Sequence, residues 1–123
     1  MSTSPTSGPL DPHQLSELRD LFGSDAEVAS LFEEFFVELP DRMNSIQVSL
    51  RNGVAEGIER AAHAISGSSG SLGAVAVHQA AKSLEQRAHQ GEVDHLEDLL
   101  VELEMELSRL REHLAQEGLL VQA

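Results

Sequence analysis

The chain has 123 residues, 41% of them hydrophobic, with four Phe, no Trp, Tyr or Cys, and a formal charge of −13 from 21 acidic and 8 basic side chains. That length suits one domain with one core, built here from Leu, Ala, Val, Ile and Phe. The charge excludes nucleic acid and anionic membrane surfaces as partners, and the lack of Cys excludes disulfides, thiolate metal sites and a cysteine nucleophile. What remains is a solvated acidic surface suited to steering a partner with a basic docking face.

Residues 1–10, rich in Ser, Thr, Pro and Gly, read as a disordered tail without the basic start or apolar run of a signal peptide. No segment approaches the roughly 18 apolar residues of a membrane span, so the expectation is a cytoplasmic protein; Met1 and the polar tail favour a free protein over a piece of a longer one, and both readings stay open. Asp11-Pro12 is an N-cap followed by proline at the first helical position, opening a short helix with Leu15, Leu18, Leu21 and Phe22 that ends at Gly23. Ser24 or Asp25 caps a longer helix with the stripe Val28, Leu31, Phe32, Phe35, Phe36 and Leu39. Pro40 is expected to kink or divide it, with Met43, Ile46, Val48 and Leu50 continuing to a stop at Asn52-Gly53. A third helix spans about 55–71 and a fourth about 74–90, with Val77, Ala81, Leu84 and Ala88 inward and His78, Lys82, Glu85 and His89 in a polar stripe. The last, from about Val93 to Glu117, carries Leu96, Leu99, Leu100, Leu103, Leu107, Leu110 and Leu114 in near-heptad spacing. No region alternates with period two, and the connections are short. The expected fold is all-α: an antiparallel up-and-down four-helix bundle over 11–118, with a short extra N-terminal helix across one end and a tail at 119–123.

His63 stands apart from this pattern. Val54, Ile58, Ala62, Ile65 and Leu72 mark the apolar stripe of its helix, and His63 lies roughly 160° from Ile65 and 140° from Ile58. It therefore faces water or a partner, on a face with Glu56, Glu59 and Arg60 before it and Ser66, Gly67 and Gly70 after it. Two glycines inside a helix cost about 2 kcal/mol together. Core packing does not require them; close approach of another molecule to His63 would, and so would a loop that ends the helix at Gly67.

The segment Ala62-His63-Ala64-Ile65-Ser66-Gly67-Ser68-Ser69-Gly70-Ser71-Leu72-Gly73-Ala74 resembles the signature of histidine-phosphotransfer (HPt) domains, His-x-Leu-Lys-Gly-Ser followed by Leu-Gly. The similarity continues through Leu84-Glu85 and the Arg87-to-Glu92 turn, and upstream through Phe32 to Pro40. The resemblance covers about residues 11–115. It implies a four-helix bundle that carries a phosphoryl group on the exposed histidine between aspartates of receiver domains in multistep phosphorelays. Its partners would be the receiver of a response regulator or of a hybrid sensor kinase. One position departs from the pattern: Ser66 stands where the family usually has a lysine that helps hold the phosphoryl group. Arg60, one turn before His63, and Lys82, level with Ser66 on the next helix, are the candidate replacements.

Neutral imidazole is nucleophilic, and its ordinary pKa of about 6.5 leaves it largely neutral near pH 7. The resemblance implies phosphoryl transfer to Nε2 of His63, with Nδ1–H donating to Glu85, Gly67 keeping the approach clear and Ser68 bonding back to the helix backbone. The alternative for Glu85 is a surface carboxylate paired with His89 one turn on. Magnesium would come from the receiver, and no cofactor is expected of this chain. It has no Gly-rich nucleotide loop with a lysine, so the expectation is a monomeric carrier and not a kinase. Leu15, Leu18 and Leu31 are candidates for an exposed docking surface. Three alternatives compete: a degenerate, non-phosphorylated HPt-like binding module; a helical adaptor dimerising through its last helix; and a metal-carboxylate bundle using Glu92-x-x-His95, or zinc at Glu59/His63 and Glu85/His89. His13, His78, His95 and His113 have no motif around them and read as surface or helix-end residues.

Overall fold

A computed structural model describes residues 8–120. Five helices follow in order: α1 (Pro12–Phe22), α2 (Asp25–Asn52), α3 (Ala55–Ser71), α4 (Val75–His89) and α5 (Glu97–Gln116). No strand occurs among the described residues. α2 to α5 form the bundle, and its most extensive helix contact is α3 against α4.

Local chemistry sets the helix ends. Asp11 Oδ1 accepts the His13 N–H at 3.0 Å, with Pro12 contributing its fixed φ at the first turn. Ser24 Oγ accepts the Glu27 N–H at 3.2 Å, so Ser24 is the cap of α2. Gly53 closes α2 at φ 68°, a left-handed conformation that a side chain would strain.

One hydrophobic cluster joins all five helices, with Phe32, Ile46, Ile58, Ile65, Leu84 and Leu103 fully buried. The Arg111 guanidinium covers its edge, 4.2 Å above the Phe36 ring. On α5, Leu100, Leu103, Leu107, Leu110 and Leu114 are all buried in this cluster, so the leucine stripe belongs to the core of the bundle.

Several expectations need correction. Pro40 does not divide α2, which is one helix from Asp25 to Asn52. Proline costs about 3 kcal/mol inside a helix, but Pro40 is exposed while Phe36, Leu39 and Ile46 stay buried on both sides of it. Core packing on both halves offsets the local penalty. α5 starts at Glu97, not near Val93, because His95 takes φ 65° and stops the helix from extending backward. Val48 is exposed.

The tails are also shorter than expected. Leu10 and Leu119 are buried core residues, and the Asp11 N–H donates to the Gly73 carbonyl at 2.9 Å. The rest of the expected tails, residues 1–7 and 121–123, lies outside the described residues.

α1 lies across the α3–α4 turn. Gln14 Nε2 donates to the carbonyls of Gly70 at 2.9 Å and Ser71 at 3.1 Å. These belong to the last turn of α3, where carbonyls lack helical partners. α1 thus seals the end of the helix that carries His63. Leu15 is buried and so is no part of an exposed docking surface, while Leu18 and Leu31 are partly buried against the core.

Candidate functional site

His63 projects from α3 with its side chain 71% exposed, and Glu85 reaches it from α4. His63 Nδ1 and Glu85 Oε2 are 2.7 Å apart. An ionised carboxylate only accepts, so Nδ1 carries the proton and donates. In the neutral ring this leaves the Nε2 lone pair free, and Nε2 bonds to no described residue. Glu85 itself is only 14% exposed, held in the cleft between the helices. Its second oxygen, Oε1, is buried without a hydrogen-bond partner, with Lys82 Nζ 3.9 Å away. The ammonium is too far for a hydrogen bond but near enough to offset the carboxylate charge.

Glu56, Glu59, Arg60, His63 and Glu85 line an open hollow around the imidazole. Arg60 is exposed there and forms no ion pair with a described residue, so its guanidinium is available to an incoming anion. One turn beyond His63, a Cβ added at Gly67 would meet nothing within 4 Å. Gly67 keeps this stretch of α3 bare. The helix runs through both glycines to Ser71, so Gly67 ends no helix.

A family model described as the Hpt domain matches residues 30–113. The chain belongs to the Hpt domain family. It is a histidine phosphotransfer protein of the kind that works in phosphorelays, and its bundle is the helical fold of that family. Among solved structures it is similar to the crystal structure of histidine-containing phosphotransfer protein B (HptB) from Pseudomonas aeruginosa PAO1. The two share 28% identity at a TM-score of 0.81, over 89% of this chain and 93% of that one. No curated protein sequence matches the chain.

Ser66, at the position where the Hpt resemblance leads one to look for a lysine, does not face outward with His63. It is 3% exposed, packed between α3 and α4. The His78 Nδ1–H donates to the Ser66 carbonyl at 2.8 Å, with Ser66 Oγ 3.2 Å from the same nitrogen. The ring sits directly under Gly70, where an added Cβ would be 3.0 Å from Nδ1. Gly70 therefore makes room for His78 and not for a partner at the surface. His78, read from the sequence as a surface residue, is half-buried and structural. The signal available was its i−4 and i+4 neighbours, Ala74 and Lys82, which put it on the border of the core stripe.

Lys82 lies beside Glu85 and has no bond to Ser66. Ser68 Oγ does not bond back to its own helix; it accepts from Arg42 Nη1 on α2 at 3.4 Å, while Arg42 Nη2 pairs with Glu38 at 2.9 Å. The hydroxyls that bond back are Ser69, to the Ile65 carbonyl at 2.6 Å, and Ser71, to the Gly67 carbonyl at 3.1 Å. Glu85 does not pair with His89, whose Nδ1 is 2.7 Å from Glu59 Oε2. No group of three or more His, Asp or Glu is placed to hold a metal among the described residues. Glu92 bonds to Arg87 at 2.7 Å, in the turn before α5. No helix among the described residues is long and apolar enough to cross a membrane.

Proposed function

We propose that this Hpt domain carries a phosphoryl group on Nε2 of His63 between aspartates of receiver domains. The observation that carries the reading is the 2.7 Å bond from Nδ1 to Glu85, on an imidazole that is 71% exposed and whose other nitrogen bonds to no described residue. That bond selects the tautomer with a lone pair on Nε2 and balances the positive charge the ring gains on attack. The lone pair forms the N–P bond as the P–O bond to the receiver's aspartate breaks. The carboxylate leaves with the electron pair.

The remaining site residues have positioning or electrostatic roles. Glu85 orients His63 and is itself charge-balanced by Lys82. Arg60, in the same hollow and without an ion pair to any described residue, is the better-placed cation for the phosphoryl oxygens, since Lys82 is drawn to Glu85. Gly67 leaves the approach clear. Ser66 fixes α3 against α4 through His78, and Ser68 ties it to Arg42 on α2.

The chain acts as a monomeric cytoplasmic phosphocarrier, not a kinase, with magnesium supplied by the receiver of a response regulator or hybrid sensor kinase. Phosphoryl transfer asks the protein chiefly for position and charge. The test is incubation with a phosphorylated receiver and magnesium, following acid-labile, alkali-stable phosphate on wild type and His63→Gln. Phosphate on His63 of the wild type is expected, with the variant losing most of the label. Label that persists in His63→Gln at the wild-type level would overturn the site, and wild type left unlabelled by several receivers would make the chain a binding module.

A further inference from the structure

The α3–α4 face holds a second histidine–carboxylate pair that the proposed function does not use. Glu59 precedes His63 by four residues on α3, and Glu85 precedes His89 by four on α4. Because the helices run antiparallel, the two Glu-x-x-x-His segments cross-pair: His63 with Glu85 and His89 with Glu59, both at 2.7 Å through Nδ1. His89 is 74% exposed and Glu59 33%. As at His63, the carboxylate can only accept, so Nδ1–H donates and the Nε2 lone pair faces solvent. Nε2 of His89 bonds to no described residue. Gln86, His89 and Gln90 border an open hollow that shares Glu59 and Glu85 with the hollow at His63.

We infer that His89 is a second phosphoryl-accepting imidazole, oriented by Glu59 as His63 is by Glu85. The inference rests on the carrier reading of His63 for its chemistry. The donor class is the same, an acyl phosphate. Nε2 of His89 forms the N–P bond, the P–O bond to the donor carboxylate breaks, and that carboxylate leaves with the electron pair. The Nδ1 proton stays in the bond to Glu59, which offsets the positive charge of the ring.

The two sites are not equal. His89 is the last residue of α4, where the helix end carries partial negative charge unfavourable to a phosphoryl group. Arg87, the nearest cation in sequence, is engaged by Glu92 at 2.7 Å, whereas His63 has Arg60 in its hollow. Transfer to His89 is accordingly expected to be slower than to His63 by about two- to fivefold.

Acetyl phosphate, a small acyl-phosphate donor that needs no docking surface, provides the test on the full chain. Wild type, His63→Gln, His89→Gln and Glu59→Gln are labelled, and phosphate is assigned to individual histidines by mass spectrometry at alkaline pH. In His63→Gln, His89 should take up label about tenfold faster than His13 and His95, exposed histidines whose rings bond to no described carboxylate. Glu59→Gln should bring His89 down to the rate of those two while His63 is still labelled. Label on His89 no faster than on His13 and His95, or unchanged in Glu59→Gln, would overturn the second site, whatever happens at His63. Label on His89 but never on His63 would support the second site and sink the first.

Discussion

His63 and His78 both meet the α3–α4 contact through Nδ1, and each has a glycine beside it. His63 donates to an ionised carboxylate and stands in water next to Gly67, where nothing lies within 4 Å of an added Cβ. His78 donates to a backbone carbonyl and fills the space under Gly70, 3.0 Å from an added Cβ. The same residue pair therefore does opposite work, once within α3 and once across α3 and α4. Outside, glycine clears space for a reacting nitrogen. Inside, it admits a ring that locks two helices together. The difference lies in depth and in the charge of the hydrogen-bond partner, not in the side chain.

That contrast can be broken by substitution. The largest effect is expected from His63→Gln, which should remove most of the acid-labile label taken at early times from a phosphorylated receiver, while His78→Gln should keep it; equal loss in both would make the two histidines equivalent. Glu85→Gln comes next. Removing a charge-assisted hydrogen bond of about 1.5–3 kcal/mol should slow transfer at His63 by about tenfold or more, read in a single-turnover assay, with little change in melting temperature. An unchanged rate would remove Glu85 from the site.

His78→Ala should act on stability instead. It leaves buried Ser66 Oγ without its partner and opens a void under Gly70, for a loss of about 1–3 kcal/mol in urea denaturation. The smallest and sharpest test uses the two glycines. Gly67→Ala should stabilise the helix by about 1 kcal/mol, since the added methyl meets nothing, yet slow transfer by crowding the approach to His63. Gly70→Ala should gain nothing, because the same propensity benefit is spent against the His78 ring. Equal melting temperatures for the two variants would contradict the assignment of their faces.

The outward His63 was legible from the sequence because helical periodicity fixes direction: Ile58, Ala62 and Ile65 had to be inside, so His63 had to be outside. Caps were legible for the same local reason, as at Asp11-Pro12 and Asn52-Gly53. Ser66 was misread by that very logic. One helix's stripe predicts which residues contact the core, but not that a neighbouring helix will bring a histidine to cover a position on its border. At Pro40 the helix is not divided, because the local penalty is offset by Phe36, Leu39 and Ile46 packing on both sides of it.

The amino-acid sequence by itself determined five helices, the direction in which His63 points and the absence of thiol chemistry, because these depend on residues within a few turns of one another. The tertiary structure decided between the two partners open to Glu85, His63 and His89, and it alone paired His89 with Glu59. Glu85 with His63 and Glu59 with His89 are cross-pairs set by the register of two antiparallel helices, and that register is fixed by packing across the whole α3–α4 contact. The same packing turned Ser66 inward and joined Gln14 of α1 to the end of α3. Interactions between residues distant in sequence are chosen by burial and fit, which no local spacing encodes.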